Sequence, residues 1–290
     1  MRRRLLRILL VVLAIFAVLF VIAALGGVRV EPLAAPARVA HPTAFAHDDF
    51  TRVLAAHVDT AGFVDYAGLK QTRALDGYLA RLAATDPDSL GETDRLAFWL
   101  NAYNAHALKL IVDNYPVSSI LHLTPYRLPG LPLTIPGTSN DPFALGVARV
   151  GGKLMSLNDI EHGVVRKDFR EPRVHAALVC AAMSCPPLRR EAYEGGRLSV
   201  QLEDQMRTWL RDPRKNRIPD GAETIRVSKI FDWFKGDFGG TDATVQAALA
   251  PYFEGDVRAR LERGAYAVDY VGYRWGLNDV RLAAERPPLP

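Results

Sequence analysis

Cysteine is almost missing from this 290-residue chain, which has only Cys180 and Cys185. Two cysteines exclude a disulfide-framework fold. Their four-residue gap, with no matching second pair, excludes a Cys-x-x-Cys redox motif and a paired zinc site. Acidic residues are absent from the first 30 positions, which hold Arg2, Arg3, Arg4, Arg7 and Arg29. These five arginines exceed the net charge of +4, so the remainder is close to neutral. The basic balance therefore marks no nucleic-acid-binding face. The chain also lacks repeats, a Ser/Gly linker and any period among its 22 Gly and 19 Pro, which excludes solenoid, collagen-like and low-complexity architectures. With 49% hydrophobic and 23% charged residues, a globular chain with a sizeable core remains.

Long apolar runs are confined to one place, Ile8–Leu25, directly behind Met-Arg-Arg-Arg-Leu-Leu-Arg. This pattern predicts one N-terminal transmembrane helix, with residues 1–28 acting as anchor or signal segment. The expected arrangement is single-pass in the inner membrane through residues 8–25, with the globular domain in the periplasm. A cleaved signal peptide is the competing reading, but the best small-x-small site, Ala44-Phe45-Ala46, lies far downstream. Residues 29–46, with three prolines, read as a linker, and 47–290 as a single globular domain.

Within that domain the periodicity predicts helices over Phe50–Val58 and through Leu75, Leu79 and Leu82. A third helix starts behind a capping box of Ser89 and Glu92 and runs to about Asn114, where Pro116 stops it. It is apolar nearly all round and so central. Residues 117–142, rich in Pro and Gly, read as a long excursion. Ala144–Val150 and Lys153–Leu157 around Gly151-Gly152 form a hairpin. A helix begins near Asn158, Val174–Ala181 is a buried run, and Leu198–Leu210 is helical. Thr224–Phe231 reads as strand, two short helices follow, and Tyr266–Leu277 reads as an aromatic strand pair. The class is α+β: one mainly helical domain with a small, mostly antiparallel sheet.

Six blocks in order carry a family resemblance: Val64-Asp65-Tyr66-x-x-Leu69, Ala97–Ala105, Leu157–His162, Pro172–His175, Ser184-Cys185-Pro186-Pro187-Leu188 and Trp233–Phe238. Over about residues 60–275 the chain resembles the domain of unknown function numbered 547, a family of bacterial envelope proteins also found in plants and animals. The resemblance implies blocks converging on a site and names no substrate.

The residues themselves offer candidates for catalysis. Cys185 follows Ser184 at a turn leaving a buried segment, a place to present a nucleophile. An ordinary thiol is mostly protonated at neutral pH, so it needs a base. His162 and His175 are the candidates for that base. Glu161 can border the same site but diverges from His162 by about 100° on an α-helix. Asn101 and Asn104, three apart on the central helix, either hold loop backbone or orient an imidazole. A Cys–His–Asn set suits a thiol hydrolase, although the chain order is the reverse of the papain order. Arg166 and Arg173 can fork onto a substrate carboxylate beside His175, or pair with Asp159, Asp168 or Asp237. Trp99, Trp233, Tyr103 and Tyr273 read as core or pocket wall. A metal on Glu161, His162 and His175 fits no helical ligand spacing, and no cofactor is expected. In an oxidising compartment Cys180 and Cys185 can instead pair, structurally or for thiol–disulfide exchange.

Two functions follow. One is a thiol-dependent hydrolase or acyl/peptidyl transferase acting on an envelope substrate. The other is a non-catalytic scaffold that binds a ligand or protein partner.

Overall fold

The computed structural model describes residues 11–16, 33–123 and 141–285. The expected membrane span is overturned: among the described residues no helix is long and apolar enough to cross a membrane. Of residues 8–25 only 11–16 are described, and these are helical; the rest lie outside the described residues. Anchoring through 8–25, single-pass inner-membrane placement and the periplasmic location built on them are not carried further.

The domain is built around α4 (Glu92–Asn114), which is preceded by α1 (Asp48–His57), α2 (Tyr66–Thr72) and α3 (Asp76–Ala83). Nearly every α4 residue from Leu96 to Val112 is buried, as its all-round apolar character requires. Glu92 and Asp94 in its first turn complement the helix dipole. The expected capping box does not form. Gly91 is the N-cap, and the Ser89 hydroxyl instead donates to the carbonyls of Pro42 and Asp86.

β1 (Ala148–Val150) and β2 (Lys153–Met155) form the expected hairpin, with Gly151 and Gly152 at φ +54° and +77°. A π-helix, Asp159–Val165, continues into α5 (Arg166–Asp168), and α6 (Val174–Ala177) and α7 (Leu198–Arg211) follow. β3 (Thr224–Ser228), α8 (Lys229–Trp233), α9 (Asp242–Leu249), α10 (Gly255–Glu262) and β4 (Ala267–Val271) complete the order.

The expected mostly antiparallel sheet is corrected as well. Among the described residues there are two separate two-stranded ladders, and β3 pairs with β4 in parallel. Parallel neighbours need a crossover, and the helices between β3 and β4 supply one. The Tyr266–Leu277 segment thus contributes one strand to a βαβ unit rather than a strand pair.

Two hydrophobic clusters result. The larger surrounds α4, and the smaller lies between α7 and the βαβ unit around Trp209, Phe231 and Leu249. Residues 33–46, expected to be a spacer, are docked on the larger one. Ala40 bridges to Thr85, Leu33 accepts from Arg149, and the Phe45 ring packs edge-on against Phe98 at 5.0 Å.

Candidate active site

A cavity of about 170 Å³ opens where the two clusters meet. The first brings Tyr103 and Leu178 to its wall, the second Ile230 and Phe234. Trp233, Tyr273 and Trp275 form an aromatic group beside it, with Tyr273 4.6 Å from both tryptophans by ring centroid. Phe143 closes the wall 6.2 Å from Trp275. The surroundings are therefore chiefly apolar, and the polar groups within them stand out: Asn158, Glu161, His162 and His175.

The π-helix places Glu161 and His162, and Asn158 is the residue that caps its start. Ser156 and Asp159 bond each other's backbone N–H at 2.8 and 3.0 Å, fixing its first turn. On an α-helix Glu161 and His162 would diverge too far to share a small site. The wider π turn reduces the angle between consecutive side chains, and both line the cavity. Single π turns of this kind occur often at functional sites.

Glu161 is strongly perturbed. Burial among the rings raises its pKa to about 7, although the Tyr103 hydroxyl bonds it and Arg166 lies near, both favouring the carboxylate. Tyr103 itself is pushed well above the usual phenol value, first by burial and then by the Glu161 charge.

His162 sits at the outer edge and its Nδ1 faces Arg166 Nη1 at 3.0 Å. Guanidinium can only donate, so Nδ1 accepts and the proton of the neutral ring is on Nε2. Burial and the Arg166 charge lower the His162 pKa, in keeping with a neutral ring. In this state His162 is a hydrogen-bond donor toward a ligand rather than a base.

His175 is buried and stacked on Phe234 at 4.1 Å. Its Nε2–H donates to Asp237 at 2.7 Å. Burial lowers its pKa to about 4, so the ring is neutral. Asp237 also accepts two bonds from Arg166, at 2.6 and 2.8 Å, and these hold its pKa down at about 2. Arg166, Asp237 and His175 thus form one fixed array behind the cavity, and Arg166 is committed to it.

Other expected site residues lie elsewhere. Asn101 clamps the Tyr193 peptide group, donating to its carbonyl at 2.8 Å and accepting from its N–H at 2.9 Å. Asn104 does the same between the Ala177 carbonyl and the Val179 N–H, both at 2.9 Å. Each holds a loop and neither is bonded to an imidazole. Arg173 forks onto Glu171 at 2.6 and 2.8 Å and does not line the cavity. Cys185 is buried and disulfide-bonded to Cys180, leaving no free cysteine. The sulfur-bearing residue that lines the cavity is Cys180.

Sequence reasoning left Asn158, Phe143 and Trp275 unassigned. Asn158 stands in the same block as Glu161, and that proximity was its only signal. Trp99, expected as core or wall, packs edge-on against Phe98 and lines no part of the cavity. Among the described residues, no cluster of His, Cys, Asp and Glu is arranged to hold a metal ion.

Fold and site together define a mixed helical domain with an aromatic-walled pocket that holds Glu161, His162 and His175. Residues 87–210 match the family described as "Protein of unknown function, DUF547". That stretch carries α4, the π-helix and the disulfide, whereas Trp233, Asp237 and Tyr273 lie beyond it. No curated protein and no solved structure matches the chain.

Proposed function

We propose that the protein is a hydrolase or transferase whose cavity takes a ring-bearing substrate and whose proton transfers run through Glu161. The observation that carries this reading is the Glu161 carboxyl, held near neutrality in a mainly apolar cavity. A group with a pKa close to the working pH can both give and take a proton, which general acid–base catalysis requires. In the reaction Glu161 takes a proton from water or an acceptor hydroxyl and returns it to the leaving group. The His162 Nε2–H donates to the oxygen that gains charge, and Trp233, Tyr273 and Trp275 supply a stacking surface. The Arg166–Asp237–His175 array keeps the His162 ring in its donor form.

A thiol-dependent version of this reading needs the Cys180–Cys185 bond to open first, and Cys180 is then the cysteine within reach of substrate. The closed disulfide and the aromatic lining favour a second reading, a non-catalytic ligand-binding module.

Aryl esters, aryl amides and aryl glycosides, offered to the full chain and to Glu161→Gln, separate the two. The enzyme reading expects turnover of one class with a pH limb near 7, reduced at least about 100-fold in the variant. No turnover of any class, with tryptophan fluorescence still quenched on aryl-ligand binding, would replace it with the binding module.

A further inference from the structure

The disulfide forms part of the cavity wall, and its two sulfurs have different surroundings. Cys180 is half-buried and lines the cavity, whereas Cys185 is 1% exposed. The Cys185 sulfur faces three donors: the backbone N–H of Cys180 at 3.1 Å, that of Ala182 at 3.3 Å and the Tyr273 hydroxyl at 3.2 Å. Among the described residues, Cys180 Sγ has only the same Tyr273 hydroxyl, at 3.0 Å.

Neutral disulfide sulfur is a weak acceptor and gains little from three donors. A thiolate gains a great deal, because each becomes a charge-assisted hydrogen bond. The ammonium of Lys215, itself buried, donates to the Cys185 carbonyl and adds positive charge nearby. Ala181, between the cysteines, has φ 62°, a left-handed conformation that a residue with a Cβ seldom adopts and that clusters at functional positions.

We propose that Cys180–Cys185 is a reactive disulfide that exchanges with a dithiol substrate through the cavity, with Cys180 attacked and Cys185 leaving. The substrate thiolate attacks Cys180 Sγ, forming a mixed disulfide as the Cys180–Cys185 bond breaks. The bonding pair leaves on Cys185 as a thiolate, held by the Cys180 and Ala182 N–H groups and the Tyr273 hydroxyl. The second substrate thiol, deprotonated, then attacks its own sulfur in the mixed disulfide and releases Cys180. The dithiol loses two electrons and becomes a disulfide, and the protein pair gains both and takes up the two protons. This activity does not depend on the acid–base reading, because neither Glu161 nor His162 takes part in the exchange.

Glutathione, a monothiol, stalls the exchange at the mixed disulfide and so reports which sulfur is attacked. Folded full-length protein treated with glutathione, quenched in acid and mapped by mass spectrometry is expected to carry the adduct on Cys180 alone. Millimolar dithiothreitol should reduce the bond without denaturant, about tenfold more slowly in Tyr273→Phe, which removes one donor to the leaving thiolate. Should Tyr273→Phe fail to fold, the adduct map on the native chain still decides. An adduct on Cys185, or a bond that opens only in denaturant, would overturn the proposal.

Discussion

A carboxylate enclosed by aromatic rings costs more than a carboxyl, and at Glu161 this cost becomes a dependence of stability on pH. Its folded pKa is about 7 against an ordinary 4.5, so between those values the native state holds a proton that the unfolded chain has lost. Stability from this group therefore falls as pH rises through that window and is level above it. The opening of the cavity to solvent discounts the full pKa difference, leaving about 2 kcal/mol. Glu161→Gln should gain that much on wild type between about pH 5 and pH 8 in urea melts, and parallel curves would show an ordinary carboxyl. Glu161 was legible in the sequence as a candidate, but its pKa was not. That value comes from burial in a cavity whose wall includes Trp233, Tyr273 and Trp275, more than 70 residues away in the chain.

At the scale of elements, α4 is the part the sequence displays most openly. Its all-round apolar surface marks a central helix, and Pro116 ends it where expected. Asn101 and Asn104 hold the Tyr193 and Ala177–Val179 loops against it. Asn→Leu at either position strands a backbone donor and an acceptor in the core and should cost about 3 kcal/mol. Chemical denaturation of the two variants measures this, and an unchanged midpoint in either would remove the clamp at that loop. The π-helix, which packs against α4, was not legible, because Asp159–Val165 carries an ordinary helical pattern. The β3–β4 pairing was missed for a related reason. Strand alternation does not encode direction, and the crossover helices reveal it only once their packing is known.

For the molecule as a whole, three buried histidines set the response to acid. His47, His106 and His175 each have a pKa lowered to about 4, chiefly by burial. Unfolded histidine takes up its proton near 6.5, so the stability these groups lend is complete above that value and is lost as pH falls toward 4. Glu161 works in the opposite direction over part of the same range, but it is one group against three. The urea midpoint should therefore be lower at about pH 5 than at pH 7, and because Glu161 offsets one of the three histidines, His106→Gln should flatten the slope by roughly a half. A midpoint independent of pH would mean that the histidines are not held neutral. The sequence shows the charge balance and a sizeable core, but not its division into two clusters, and the cavity lies where these meet. The proposed activity rests on Glu161 within that cavity. Its most direct test is a side-chain carboxyl titration of the full chain by carbon-13 NMR, assigned with Glu161→Gln. The predicted midpoint is near 7, and one near 4.5 would contradict the acid–base site.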